Sequence, residues 1–139
     1  MTNPFPNKLV AIINKKLEPG RAMNTLSHLS LGLGGALGKD ELNLDTYTDA
    51  DSNEYPFISQ MPFIILRAKP GEIRKTVLAA REKGILFNAF TDAMTEGTWQ
   101  DQMARSQATK EEDLTYFGCM LYGDWDTVAE MTRKFSLWK

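Results

Sequence analysis

The sequence predicts an α/β domain in which a mixed four-stranded sheet lies between helices, as a three-layer α/β/α sandwich. Four largely apolar runs, at residues 9–13, 63–68, 85–91 and 114–123, are typical of strands covered on both faces. Segments with the apolar spacing of helices alternate with these runs, which is the pattern of a sheet with helices packed on it. The length of 139 residues predicts one domain, spanning 1–139.

The first strand and helix form the most regular part of the pattern. The run Leu9–Ile13 predicts a buried strand, and after a short turn the spacing predicts a helix from about Pro19 to Leu37. Gly32, Gly34 and Gly35, with Gly38 directly after the predicted end, weaken the C-terminal half of this helix. They indicate either close packing against a neighbouring element or an early helix end near Gly34 and Gly35.

The segment after this helix is polar and turn-rich. Alternating residues predict a short strand over Glu41–Tyr47. The acidic run Asp49–Glu54 resembles a calcium-binding loop in its first, third and fifth positions. Glu54 stands where that loop needs glycine, however, and Gln60 stands where it needs glutamate. A solvated acidic turn is therefore the preferred interpretation.

The second half of the chain continues the alternation. Proline and an acid in the first turn and Lys83-Gly84 at the end predict a helix over Pro70–Lys83. A further helix is predicted over Thr98–Gln107. Asp124 is expected to cap a last helix that runs through Phe135.

Composition limits the class of protein. Sixteen basic and 18 acidic residues give a net charge of -2, which argues against a broad nucleic-acid-binding surface, although a local basic patch remains compatible with it. The single cysteine, Cys119, lies in an apolar run and is expected to be buried. The absence of a disulfide framework, of a secretory signal and of an apolar run of transmembrane length predicts a cytoplasmic protein without a membrane partner.

Sites in open α/β sheets gather where strands end. Two such places carry polar side chains: the turn and first helical turns after the first strand, and the loop beginning at Asp92. A helix start offers free N–H groups and a partial positive charge, so we expect a small anionic ligand there. The residues expected to bind it are Lys15, Lys16, Arg21, Asn24, Thr25 and Thr95.

Two residues are candidates for catalysis. Asp92 is suited to orient a water or accept a proton, but a turn-forming role is equally consistent with its position. His28 is the only histidine and would serve as a general base if it faced the cleft; a structural role is favoured from its helical phase. One His and one distant Cys do not make a metal site, and no cofactor motif is present, so neither a metal nor a cofactor is predicted.

Several segments together resemble a known family. The stretch from Lys8 to Asn14, the turn Leu17–Arg21 and the run Asn24–His28 look like the opening of peptidyl-tRNA hydrolase II, and Phe90–Thr95 is similar to its strand-end loop. The chain is more similar still to a small uncharacterised bacterial group, the domain of unknown function 2000 family. The resemblance implies a peptidyl-tRNA hydrolase II-like fold and a homodimer. It also implies that Asp92, Thr95 and His28 lie in a cleft.

The resemblance does not carry the hydrolase activity over to this chain. The family's helix-start lysine is replaced by Ala22 or Met23, and its glutamine is replaced by Thr25. Three functions therefore remain: binding of a small anion or nucleotide, hydrolysis of an ester or amide bond, and an interaction protein with a vestigial site. The missing acid–base partners favour the first and third over hydrolysis.

Overall fold

The computed structural model describes residues 4–139, so the prediction about a secretory signal falls partly outside it. The main strands are β1 (Asn7–Asn14), β2 (Leu44–Thr48), β3 (Glu54–Ser59), β4 (Phe63–Ala68), β5 (Leu86–Thr91), β6 (Tyr116–Asp124) and β7 (Ser136–Leu137). The helices are α1 (Pro19–Glu41), α2 (Pro70–Lys83), α3 (Trp99–Ala108) and α4 (Trp125–Thr132), with short 3₁₀ turns at Asp92–Met94 and Glu111–Asp113.

The main sheet has five strands in the order β5-β6-β1-β4-β7. β1 lies at its centre, parallel to β4 and antiparallel to β6, while β5 and β7 run antiparallel to their neighbours. The prediction of a mixed sheet is confirmed. The prediction of four strands is wrong, because Ser136 and Leu137 pair with Arg67 and Leu66 and add a fifth strand at the edge.

The two faces of the sheet are covered by different helices. Alternate side chains of β1 point to opposite faces, as a strand requires. Leu9, Ala11 and Ile13 pack in one cluster with Leu29 and Leu33 of α1. Val10 and Ile12 pack in a second cluster with buried residues of α2 and α4, namely Ile73, Val77, Ala80 and Val128. The sheet therefore lies between two helical layers.

The segment between α1 and β4 folds differently from the prediction. β2 occurs near the predicted short strand, but it pairs with β3 in a separate two-stranded hairpin and does not join the main sheet. The acidic run provides the hairpin turn, where Asp49 accepts hydrogen bonds from the backbone of Asp51 and Asn53. β3 was not predicted because most of its side chains are exposed, on both faces of the strand, so its sequence carries no pattern of buried and exposed residues.

The predicted end of α1 is close to the observed one. Helical geometry is interrupted at Gly38, where φ is 80°, one residue after the predicted end at Leu37. The helix does not stop at Gly34 and Gly35. Gly32 meets the prediction of close packing, since a Cβ on it would lie 2.7 Å from Asn88 Nδ2 on β5. The last helix was predicted too long, and ends at Thr132 instead of Phe135.

Two predictions from composition concern Cys119 and membrane-spanning segments. Cys119 is fully buried on β6, and burial raises the pKa of its thiol to about 12, so the residue behaves as a small apolar side chain. Among residues 4–139, no helix is long and apolar enough to cross a membrane.

Candidate functional site

Both polar segments singled out in the sequence lie at the same edge of the main sheet. β1 and β4 are parallel, so their carboxyl ends, at Asn14 and Ala68, meet there. β5 and β1 are both antiparallel to β6, so β5 also ends at this edge, at Thr91. The start of α1 and the Asp92 loop therefore flank the first residue of β6, Tyr116.

The turn between β1 and α1 is fixed by Asn14, which the sequence did not single out. Asn14 is 3% exposed; its Nδ2 donates to the carbonyl oxygen of Tyr116 (3.1 Å), and its Oδ1 accepts from the N–H of Lys16 (2.9 Å). The N–H of Lys15 donates to the carbonyl oxygen of Ala68 (3.0 Å). Two hydrogen bonds of the Asn14 side chain and one between backbone groups thus hold the turn, while the side chains of Lys15 and Lys16 are exposed.

The start of α1 has the properties of an anion-binding helix end. The preceding residue, Glu18, has extended backbone geometry and makes no side-chain capping bond, and Pro19 begins the helix. The first turn contains no Asp or Glu. An uncapped end of a long helix carries a partial positive charge and N–H groups that side chains leave unpaired.

Arg21, Thr25 and His28 follow each other at helical spacing on the side of α1 that faces β5 and β6. The guanidinium carbon of Arg21 lies 5.5 Å from the ring centroid of Phe117. The ring of His28 stacks on Phe90, with centroids 5.0 Å apart and an interplanar angle of 10°. Both aromatic rings are buried, so they form a rigid surface under two exposed polar side chains.

Thr25 lies between Arg21 and His28 and is fully buried. Its Oγ1 has no hydrogen-bond partner among residues 4–139, and its methyl group faces Gly118, where a Cβ would lie 3.0 Å from it. A ligand at the surface does not reach this hydroxyl without displacement of its neighbours. Asn24, the adjacent residue on the helix, is exposed.

The Asp92 loop is held by hydrogen bonds that the sequence does not reveal. The N–H of Thr115 donates to Oδ1 of Asp92 (3.1 Å), and Thr95 Oγ1 donates to the carbonyl oxygen of Asp92 (2.8 Å). Arg105 of α3 donates to the carbonyl oxygens of Ala93 (2.9 Å) and Glu96 (3.2 Å). Asp92 and Thr95 therefore shape the loop, and Asp92 keeps its carboxylate exposed.

A further cation near this edge already has a partner. Arg74 of α2 forms a two-pronged ion pair with Glu111 (shortest distance 2.6 Å), which also accepts from the hydroxyl of Tyr116 (2.9 Å). The bond from Arg74 lowers the pKa of Glu111, while burial, followed by the bond to Glu111, raises the pKa of Tyr116 to about 12. Lys15, Lys16 and Arg21 are exposed cations at this edge, and none of the three forms an ion pair within residues 4–139.

The candidate site lies on an exposed edge, since six of the eight predicted residues are exposed, while Thr95 is partly buried and Thr25 is buried. Five cavities of about 290 to 620 Å³ are lined by other residues. Within residues 4–139, no hydrogen bond joins the two residues proposed for catalysis, His28 and Asp92. The same part of the chain contains no group of three or more His, Cys, Asp or Glu side chains that could hold a metal ion.

Comparison with known families identifies the family of this chain. The family model described as "Protein of unknown function (DUF2000)" matches residues 7–139. The chain belongs to the DUF2000 family. This confirms the resemblance to that group that the sequence motifs indicated.

A solved structure has the same fold as this DUF2000 chain. It is the protein of unknown function Atu0240 from Agrobacterium tumefaciens strain C58, with a TM-score of 0.85 and 19% sequence identity. The match covers 97% of this chain and 99% of the other. Identity at this level shows a shared fold and nothing about activity. No curated protein matches the chain significantly in sequence.

Proposed function

We propose that this DUF2000 protein binds a small anionic ligand or nucleotide at the edge between the start of α1 and the Asp92 loop, on a peptidyl-tRNA hydrolase II-like fold. One observation carries the proposal: the uncapped start of α1 adjoins three exposed cations, Lys15, Lys16 and Arg21, and has no acid in its first turn. Such helix ends bind phosphate and carboxylate groups through their N–H groups and dipole.

The arrangement of Arg21 supports binding of a planar or two-oxygen anion. Its guanidinium lies over the buried ring of Phe117, which limits the conformations of a long side chain. A guanidinium held in this way loses less conformational freedom on binding, and its fork of N–H groups matches carboxylate and phosphate oxygens.

Asp92 favours a ligand that carries hydroxyl or amino groups besides its anionic group. One carboxylate oxygen, Oδ1, is occupied by the N–H of Thr115, and the side chain is exposed. A free carboxylate would repel a bare phosphate but would accept a hydrogen bond from a sugar hydroxyl or a base amino group. A nucleotide has both kinds of group, so we expect it to bind better than inorganic phosphate.

Hydrolysis of an ester or amide bond, as by peptidyl-tRNA hydrolase, is the second candidate. It would rest on Asp92 as the water-positioning carboxylate and His28 as the base. Two features count against it: the two side chains share no hydrogen bond, and the edge is open to water, which weakens electrostatic stabilisation of a transition state. Turnover of peptidyl-tRNA by the wild type, lost in Asp92→Asn, would establish this candidate. Absence of turnover in both proteins would leave binding or an interaction role.

Ligand titration tests the proposal directly. Calorimetry with a nucleoside monophosphate and with inorganic phosphate should give measurable binding to the wild type, and the double variant Lys15→Ala/Lys16→Ala should bind at least about tenfold more weakly, since each charged contact contributes roughly 1 kcal/mol or more. The matched control is Lys75→Ala/Lys83→Ala, which removes the same charge from exposed positions on α2 at the other face of the sheet. Equal weakening in both variants, or no binding to the wild type, would contradict the proposal.

The homodimer stays a prediction alongside this proposal. Light scattering after size exclusion measures the mass in solution directly. A value of twice the chain mass of 15.7 kDa would support the dimer, and a value equal to the chain mass would contradict it.

A further inference from the structure

A cavity of about 340 Å³ lies away from the candidate site, between α1, the main sheet and the β2–β3 hairpin. α1 contributes Leu33 and Gly34, the sheet contributes Met120 and Phe63, and the hairpin contributes Leu44 and Phe57. Three separate elements therefore form its walls. One of them, the hairpin, pairs with no strand of the main sheet.

The lining of this cavity selects against a charged occupant. None of its lining residues is charged, and the polar side chains among them are Ser30 and Ser59. Ser59 already donates to the carbonyl oxygen of Leu42 (2.5 Å) and accepts from the N–H of Met61 (3.1 Å). A charged group placed here would lose its hydration and would find no charged partner, whereas a neutral apolar group would gain from burial.

Phe57, which lines the cavity, has an unusual backbone conformation and an exposed side chain. Its φ is 65°, in the left-handed region that a non-glycine residue adopts at a cost of about 1–2 kcal/mol. Despite this cost its side chain is 70% exposed, and the neighbouring Phe63 is 43% exposed. Two aromatic rings thus stand partly in water beside an apolar cavity. Strained residues of this kind concentrate at ligand-binding positions.

Gly34 of α1 also lines the cavity. A glycine inside a helix costs about 1 kcal/mol relative to alanine. Packing explains Gly32, as described above, but a Cβ on Gly34 would meet only Leu42 Cδ1, at an ordinary 3.9 Å. Neither a steric clash nor a positive φ requires glycine at position 34. Its effect is to leave open the space that a side chain would occupy in the cavity.

From these observations we infer that the cavity between α1 and the hairpin is a binding site for an uncharged aromatic molecule of one or two rings. A cavity of about 150 Å³ accommodates benzene, so a site roughly twice as large suits a two-ring compound. The rings of Phe57 and Phe63 and the sulfur of Met120 are partners for aromatic faces and edges. This site is separate from the anion-binding edge and does not depend on it.

The test uses a pair of probes that differ in charge. 2-Naphthol is neutral at pH 7, and 2-naphthoate is an anion of similar shape. Fluorescence titration of the wild type should show saturable binding of 2-naphthol and at least tenfold weaker binding of 2-naphthoate. In Gly34→Leu the new side chain fills the cavity, so binding of 2-naphthol should weaken at least tenfold. The matched control is Gly35→Leu, because Gly35 is exposed and a Cβ there meets nothing within 4 Å.

A second variant keeps the test decisive if Gly34→Leu does not fold. Phe57→Gly removes the ring and tolerates a φ of 65°, so it should fold at least as stably as the wild type but bind 2-naphthol at least fivefold more weakly. Any of three results would overturn the inference: no binding to the wild type, equal binding of the two probes, or wild-type affinity in every folded cavity variant.

Discussion

Two hydrogen bonds join Asp92 to Thr115. The N–H of Asp92 donates to the carbonyl oxygen of Thr115 (3.0 Å), and the N–H of Thr115 donates to Oδ1 of Asp92 (3.1 Å). The carboxylate thus extends the contact between β5 and β6 beyond the last strand residue, Thr91. A loss of function in an Asp92 variant will therefore reflect both the missing carboxylate and an altered loop structure.

The first prediction separates these two effects. Asp92→Ala should lower the free energy of unfolding by about 1 kcal/mol, because the N–H of Thr115 loses its acceptor. Asp92→Asn should have a smaller effect, since an amide oxygen still accepts that bond. Urea denaturation measures both values, with Glu96→Ala as a control for removal of an exposed acid from the same loop. Equal destabilisation by all three changes would show that the Thr115 bond is not important.

The second prediction concerns acid. The pKa of Asp49 is lowered from its ordinary 3.8 to about 2, chiefly by the hydroxyl of Tyr55 and then by the backbone and side chain of Asn53. Because the folded-state pKa is the lower one, this stabilisation is complete above pH 3.8 and is lost as the pH falls towards 2. Unfolding measured between pH 6 and pH 2 should show this loss in the wild type.

The variant Asp49→Asn isolates that contribution. It should remove the corresponding part of the pH dependence, because its side chain does not titrate. Asp51→Asn is the comparison, as the Asp51 carboxylate makes no hydrogen bond within residues 4–139. A wild-type pH profile in Asp49→Asn would refute the assignment.

The third prediction concerns the contact between β6 and α1. A Cβ on Gly118 would lie 3.0 Å from both the carbonyl oxygen of Ile12 and the methyl group of Thr25. Gly118→Ala should therefore destabilise the protein by about 1–3 kcal/mol. Adding Thr25→Ser, which removes that methyl group, should recover part of the loss, although the contact with Ile12 remains.

A double-mutant cycle measures this coupling from unfolding free energies. Gly35→Ala serves as the control, since nothing lies near its Cβ position, and it should raise stability by about 0.5–1 kcal/mol through helix propensity. Strictly additive effects of Gly118→Ala and Thr25→Ser would mean that the contact with the Thr25 methyl group does not determine the loss of unfolding free energy.

The central part of the fold could be read from the sequence because its signals are local. The run Leu9–Ile13 is apolar throughout, and Pro70 with Gly84 marks both ends of α2, so β1 was predicted to within two residues at each end and α2 was predicted to the residue. The hairpin and β7 were not, because their strands are defined by pairing. Ser136 and Leu137 carry no strand pattern of their own and become a strand only beside β4.

The shared location of the two candidate segments was predictable from the sequence, but their contacts were not. The rule that sites lie at strand ends brought the start of α1 and the Asp92 loop together correctly at one edge. It could not identify Asn14, Arg105 or Thr115, since each acts through a hydrogen bond between a side chain and the backbone of a residue distant in sequence. It also did not show that Thr25 is buried, because its side of α1 is covered by Gly118 from the other end of the chain.

The central position of β1 has a consequence for folding. Residues 7–13 pair with residues 118–124, so the middle of the sheet joins the first and last parts of the chain. Such high contact order slows folding. During synthesis, the apolar β1 emerges from the ribosome long before β6 and cannot complete its pairing until β6 has also emerged. We therefore expect fragments that lack β6 to aggregate.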